Sequence, residues 1–332
     1  MKVTIKDVAK EAGVSISTVS NALNGVDVLR PATREHILAI AEKLHYIPNL
    51  NGRNLKAQAT KVIGMFVTYM GGPYMGALAD TLAMECRKAG YELNIFVTEQ
   101  KDTVMANLLG HRVDGAVIVN SSIEKKQEQQ LKEAAIPVIY LNREMEGDCQ
   151  GGVFFDSYQA GRRAAEYLLR RGLKSFGLVD GPANFDSKER SRGFREVLSE
   201  QQISLKEEFV WQGGFEREKA FAEVDRFLKG LDTIRAELLP QAIFAVNDLS
   251  AIGCMDALMQ AGIKVPEQVS VIGCDDIELS RYLKPALTTI RTNFEEQGKV
   301  AAGELIRMLS GGEGGKAICL PCELVERESV LK

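Results

Sequence analysis

The sequence predicts an all-α helix-turn-helix head joined to an α/β core of two doubly wound, parallel-sheet lobes. Three observations carry this. Two short, capped helical stretches joined at a glycine open the chain. From residue 62 the pattern becomes an alternation of β-rich apolar runs and amphipathic stretches. That rhythm restarts after Ser157, which doubles the core.

The first helix is announced by Thr4-Ile5-Lys6-Asp7, a T-x-x-D capping box. Ile5, Val8, Ala9 and Ala12 then share one face at helical spacing. Gly13 supplies the left-handed residue that stops the helix, and Ser15 caps the next one. In that second helix Val19, Ala22 and Leu23 point inward, and Gly25 ends it. A third helix begins at Pro31, which suits a first helical position, and offers Ile37, Ile40, Ala41 and Leu44 to the same small core. Pro48 breaks it. Asn49 can cap a further short helix over 50–56, polar and too short to be stable alone, before a linker at 58–61.

Strands are expected at 62–68, 93–98, 115–120 and 138–142, with helices at 74–89, 102–110 and 124–134 between them. The second run gives a helix from 157 to 171, strands at 176–180, 242–246 and 270–273, and helices at 188–200 and 249–261. A helix at 294–309 and a strand-like stretch at 317–325 close the chain. Strand–helix alternation implies right-handed crossovers, parallel sheets and ligand sites at the carboxyl ends of the strands. The expected domains are 1–45 for the head, 46–60 for hinge helix and linker, 61–155 with 292–316 for the first lobe, and 156–291 with 317–332 for the second.

With 332 residues, 45% hydrophobic and 26% charged, the composition is that of an ordinary globular chain. The net charge of −4 is unevenly spread. Residues 1–60 carry eight Lys/Arg and five Asp/Glu, net +3, and the remaining 33 and 40 give −7. A basic head on an acidic body fits a small module that meets DNA. No apolar leader and no apolar run of about 18 residues is visible, so a cytoplasmic location without a membrane span is expected. Six scattered cysteines suit free thiols in a reducing compartment.

The catalytic signatures are missing. No phosphate-cradling glycine loop is found: Gly71-Gly72-Pro73-Tyr74-Met75-Gly76 follows a strand but is followed by Ala77, without a phosphate lysine. There is no G-x-S-x-G, and two of the three histidines, His36 and His45, fall in the head. Cys319-Leu320-Pro321-Cys322 lacks the second pair that a structural zinc site needs. No catalytic residue, metal or cofactor is expected. An enzyme on this fold and a secreted sugar carrier are the alternatives; the first lacks a reactive constellation and the second has no use for the head.

The residues go beyond pattern. Thr4–Ala9, Ala12–Ser15, Thr18–Ser20 and Leu23–Gly25, the stretch Tyr46-Ile47-Pro48-Asn49 with Arg53-Asn54-Leu55, and in the core Arg190 to Phe194, Phe244 to Asp248, Val269 to Ile277 and Pro285 to Thr289 closely resemble the lac/gal repressor family of bacterial transcription regulators. The resemblance covers essentially the whole chain. It implies a core like periplasmic sugar-binding proteins, a homodimer on a palindromic double-stranded operator, and a small-molecule effector, a sugar or sugar derivative, between the lobes. It implies DNA contacts by Thr4, Ser15, Ile16, Ser17, Thr18, Ser20, Asn21, Asn24 and Arg30, with bases read by Ile16, Ser17 and Asn21. From the hinge it implies Asn49, Arg53 and Leu55, with Leu55 wedged into the minor groove. For the effector it implies Arg190, Asn247 and Asp275, with Tyr74 or Phe215 stacking on a sugar face. The chain departs from the family at Asn21, usually arginine, at Arg30, often a Ser or Thr cap, at Gly52, usually alanine, and at Cys274, usually aromatic.

Overall fold

The computed structural model describes residues 3–47, 59–119, 123–231, 233 and 235–332. The chain divides into two compact units, Met1–Thr60 and Lys61–Lys332.

The first unit holds α1 (Ile5–Ala12), α2 (Ile16–Leu23) and α3 (Pro31–Lys43). Local chemistry sets each boundary. The Asp7 carboxylate accepts the Thr4 backbone N–H at 2.8 Å and the Thr4 hydroxyl at 2.7 Å, and these bonds hold its pKa below the usual value. Gly13 stops α1 at φ 65°, a conformation that costs a side-chain-bearing residue and costs glycine little. Val8, Ala9, Ala12, Val19, Ala22, Ile37 and Ala41 form the buried core, with Leu23, Ile40, Leu44 and Tyr46 packed around it. These are the faces the periodicity selects. The hinge helix expected at 50–56 lies outside the described residues.

The second unit contains two six-stranded sheets among the described residues. The strands are β1 (Val62–Val67), β2 (Glu92–Val97), β3 (Gly115–Ile118), β4 (Val138–Leu141), β5 (Gln150–Phe155), β6 (Phe176–Asp180), β7 (Val210–Gln212), β8 (Ala242–Ala245), β9 (Ser270–Asp275), β10 (Thr288–Arg291), β11 (Ala317–Leu320) and β12 (Glu323–Val325). The first sheet runs β11-β5-β4-β3-β1-β2 and the second β12-β10-β9-β8-β6-β7. Every pairing is parallel except β10 with β12. The covering helices are α4 (Gly72–Lys88), α5 (Lys101–Leu109), α6 (Lys125–Glu133) and α11 (Phe294–Leu309) on the first sheet's side, and α7 (Ser157–Arg170), α8 (Phe185–Glu200), α9 (Arg217–Lys229) and α10 (Asp248–Gln260) on the second's. None is long and apolar enough to cross a membrane.

The structure corrects the sequence reading at the chain's end. The stretch 317–325 is two strands, not one. Ala317–Leu320 pairs with β5 in the first sheet, so the lobe boundary placed at 316/317 falls after residue 320. Pro321 has no N–H to give to a ladder, and after it the chain crosses to pair with β10. The chain thus passes between lobes three times, after β5, β10 and β11. Three strands were not anticipated: β5, which contains Gly151 and Gly152, the three-residue β7, and β10. Nor was α9, although Ala220, Val224 and Leu228 recur on one buried face of it. One hydrophobic cluster runs through the crossovers, joining Met65, Val117 and Val153 of the first sheet to Phe244, Ile272 and Ile290 of the second. The lobes therefore meet over a shared apolar spine with the strand ends, and the polar residues that follow them, beside it.

Candidate functional site

In the head, Ser15 caps α2 by accepting the Thr18 N–H at 3.1 Å, and its hydroxyl lies 2.7 Å from those of Ser17 and Thr18. Ser15, Ile16 and Ser17 are exposed, Ile16 at 45%, and Thr18, Ser20 and Asn21 are half-buried. An exposed isoleucine at a helix start contributes nothing to the head's own core. No acidic side chain occupies the first turn of α2, so its positive end is open to a phosphate. The Asn21 amide makes no hydrogen bond among the described residues, whereas Asn24 donates to the Ser20 hydroxyl at 3.2 Å. Thr4 is engaged with Asp7, as above. Arg30 precedes Pro31 at the start of α3, exposed and without a side-chain cap bond. Asn49, Arg53 and Leu55 lie outside the described residues.

In the core, the polar side chains gather at the carboxyl ends of the strands. Asp275 ends β9, Asn247 follows β8, and Asn142 follows β4. Arg190, on α8, is 4% exposed; its Nη1 donates to Asp275 Oδ1 at 2.9 Å and to the Val246 carbonyl at 2.6 Å. Its Nε is buried without a partner. Asp275 sits at φ 126° and also accepts from the Thr292 hydroxyl at 3.3 Å. Burial pushes its carboxyl up to about 7 against the pull of Arg190.

Asn247 is largely committed to structure. Its Oδ1 caps α10 through the Ser250 N–H at 3.0 Å, and its Nδ2 donates to the Phe215 carbonyl at 3.3 Å. One amide N–H remains. Phe215, at φ 67°, packs its ring over Gly181, where a Cβ would stand 2.6 Å from a ring carbon. Tyr74 stands differently from a sugar-stacking aromatic. Its ring meets Phe294 edge-on with centroids 4.9 Å apart, and its hydroxyl donates to Gln297 at 3.0 Å and accepts from Asn142 at 3.2 Å. Gln297 closes the network by donating to Asn142 Oδ1 at 2.8 Å.

Three polar residues here, Asn142, Gln297 and Asp186, escaped the sequence reading, and Asp248, within the Phe244–Asp248 motif, takes a structural place. Asn142 and Gln297 build the first lobe's wall with Tyr74. Asp186 is buried on α8 with its Oδ1 accepting from the Ser157 hydroxyl at 2.7 Å. Asp248, fully buried at the start of α10, accepts from the Thr289 and Ser280 hydroxyls at 2.5 and 2.6 Å and from the Ile277 N–H at 3.0 Å. It thereby fixes the turn that presents Asp275. An N-terminal position on α8 and α11 was the available signal for Asp186 and Gln297. Cys322 lies near the Arg190 charge; burial pushes its thiol up to about 12, and all six cysteines are free. Cys319 and Cys322 flank Pro321 at the strand crossing and are not paired.

Comparison with known proteins agrees with both halves. Residues 4–49 match the model for bacterial regulatory proteins of the lacI family, and residues 165–330 match a periplasmic binding protein-like domain. The chain is 32% identical over 335 residues to the transcriptional repressor PurR of Yersinia enterocolitica, spanning 98% of this chain and 96% of the relative. It is 31% identical over 333 residues to the probable transcriptional repressor ExuR of Bacillus subtilis, spanning 99% and 98%. Among solved structures it resembles the lac repressor dimer bound to operator and the anti-inducer ONPF, with TM-score 0.84, 25% identity and full coverage of both chains. The complex of the regulator CelR with cellobiose is similar at TM-score 0.71 and 26% identity, covering 99% of this chain and 100% of that one. The chain belongs to the lacI family of bacterial regulatory proteins, and it is a DNA-binding transcriptional regulator, not an enzyme.

Proposed function

We propose that the protein is a repressor that binds a palindromic operator as a homodimer and is switched by a small polyhydroxyl effector, a sugar or sugar derivative, held between the lobes. The observation that carries the effector reading is the buried Arg190–Asp275 pair beside Asn247 and opposite the Tyr74–Asn142–Gln297 wall. A guanidinium donates, a carboxylate accepts and an amide does both, which is what adjacent hydroxyls require. Phe215 offers a ring face beside them. The similar regulator CelR, solved with cellobiose, supports a sugar.

On the DNA side, Ile16, Ser17 and Asn21 are the base-reading residues in this proposal. Thr4, Ser15, Thr18, Ser20, Asn24 and Arg30 meet the backbone, and Asn49, Arg53 and Leu55 act from the hinge. The dimer would use β2, an edge strand of the first sheet, where Ile95 and Val97 are exposed, as is Met84 on α4. Its place of action is the cytoplasm, with the DNA.

Arg190→Ala tests the cleft. It should abolish effector-induced changes in gel shift and melting temperature while leaving effector-free operator binding within about threefold, because the loss of a buried charged contact is confined to the core. Loss of operator binding with the effector response intact would remove Arg190 from the site.

A further inference from the structure

The polar floor of the cleft is unbalanced in charge. Arg190 stands between two buried carboxylates: Asp275, bonded at 2.9 Å, and Asp186, one turn earlier on α8. Neighbouring acids are already satisfied. Asp248 takes three donors, and Asp180 Oδ1 takes the Gly181 N–H at 2.8 Å and the Ser187 and Ser191 hydroxyls at 3.0 and 2.6 Å. Asp186 takes only one, from Ser157, and its second oxygen has no hydrogen bond among the described residues. The charges of Asp186 and Asp275 both reach Tyr74, so the two carboxylates bear on the wall of the other lobe. Burial raises both carboxyls, and the Arg190 charge opposes the rise at each. Ser187, next to Asp186, also lines a cavity of about 430 Å³ whose other lining residues include Lys188, Lys219, Asp180 and Glu216, two charges of each sign. That region does not reverse the balance.

We propose that Asp186 is a specificity-determining residue of the effector cleft, selecting an uncharged or amino-bearing ligand and turning away sugar acids and phosphorylated sugars. This rests on the cleft being the effector site. Asp186 has a free acceptor for a ligand hydroxyl or ammonium. Above pH 7, where Asp275 has lost its proton, an anionic ligand would meet Asp275 and Asp186 around one guanidinium whose strongest acceptor is already in place. Like charges brought together at such a site cost binding severely, whereas a hydroxyl is matched on both of its functions.

The test is melting-temperature titration of the full chain with charge-matched series. One is glucose, glucosamine, glucuronate and glucose 6-phosphate; a second is the galactose equivalents; a third is inosine with its 5′-phosphate. The expected result is that neutral or amino members stabilise the protein and their acidic partners bind at least about tenfold more weakly. If only inosine binds, the sugar reading falls and the charge selection stands. An acidic member binding as tightly as its neutral partner overturns the selection and leaves the sugar reading standing; no shift with any member overturns both. Asp186→Asn should strengthen binding of the acidic members by about tenfold relative to the neutral ones. Ser157→Ala, which removes the hydrogen bond and keeps the charge, should leave that ranking unchanged. Equal weakening of every ligand by both variants would make Asp186 a strut between α7 and α8 and overturn the proposal.

Discussion

Asp275 is a charge whose ionisation opposes folding, and Asp275→Asn exposes this. Its side chain is 14% exposed. Burial is the largest influence on it, Arg190 opposes that, and Asp248 and Asp186 add to the rise. Tyr69, Tyr74, Cys274 and Cys322 also feel its charge. Unfolded, the carboxyl ionises near 3.8; folded, it keeps its proton to about 7. Between those values the folded state binds the extra proton. The associated stabilisation is therefore complete below pH 4 and is lost as pH rises through 7. Three units at about 1.4 kcal/mol each come to roughly 4 kcal/mol, of which about 3 kcal/mol falls between pH 5 and pH 8. Asparagine keeps the shape and the acceptor oxygen for Arg190 but does not titrate. Urea unfolding of the full chain at pH 5 and pH 8 should show the variant gaining about 3 kcal/mol on the parent over that interval. Parallel pH profiles for the two proteins would refute a buried, proton-holding Asp275.

Gly161→Ala gains up to about 1 kcal/mol of helix propensity, but its Cβ would meet the Arg190 carbonyl at 1.9 Å. The α7–α8 contact must open, so a net loss of about 1–3 kcal/mol is expected in urea unfolding; an unchanged or raised midpoint would show that the helices yield freely. Asn21→Arg should shift the facing half-site base pair from A·T towards G·C in selections from randomised operators, since an amide matches adenine and a guanidinium matches guanine by about 1–3 kcal/mol. If Asn21→Ala weakens all operators equally and changes no base preference, Asn21 touches only the backbone. Val97→Lys should shift sedimentation towards monomer and weaken operator binding, because it puts a charge on the exposed β2 edge; an intact dimer would move the interface elsewhere.

What the sequence reveals divides by the distance over which each cause acts. The head is legible because its boundaries are set within four residues: Asp7 answers Thr4, Ser15 answers Thr18, and Gly13 turns the chain by itself. The buried strands β1, β3, β4, β8 and β9 are legible because a parallel sheet covered on both faces needs continuous apolar runs. β5 hides because its glycines are demanded by neighbours far away in sequence. A Cβ on Gly152 would stand 2.3 Å from the Arg143 carbonyl, and one on Gly151 would meet Ile139 and Lys316 within 3.0 Å. β10 hides because its threonines look like loop residues until Asp248, 41 positions away, takes the Thr289 hydroxyl.

The cleft follows the same rule more severely. Arg190, Asn247 and Asp275 are recognisable only through the motifs of the family, since nothing in their spacing announces that an arginine will meet an aspartate 85 residues later. Asp186, Asn142 and Gln297 have no motif to carry them. Asp186 acquires its meaning from Ser157, 29 residues earlier, and Gln297 from Asn142, 155 residues earlier. Tyr74 marks the limit of residue-type reasoning: an aromatic at the mouth of a predicted sugar site suggests stacking, but its hydroxyl is claimed by Gln297 and Asn142 and its ring by Phe294. In the proposed cleft the first lobe presents a wall fixed by its own hydrogen bonds, and the charged groups belong to the second. If the effector binds there as proposed, contact with both walls would hold Asp186, Arg190 and Asp275 in register with Tyr74 and so couple occupancy to the lobes' relative position.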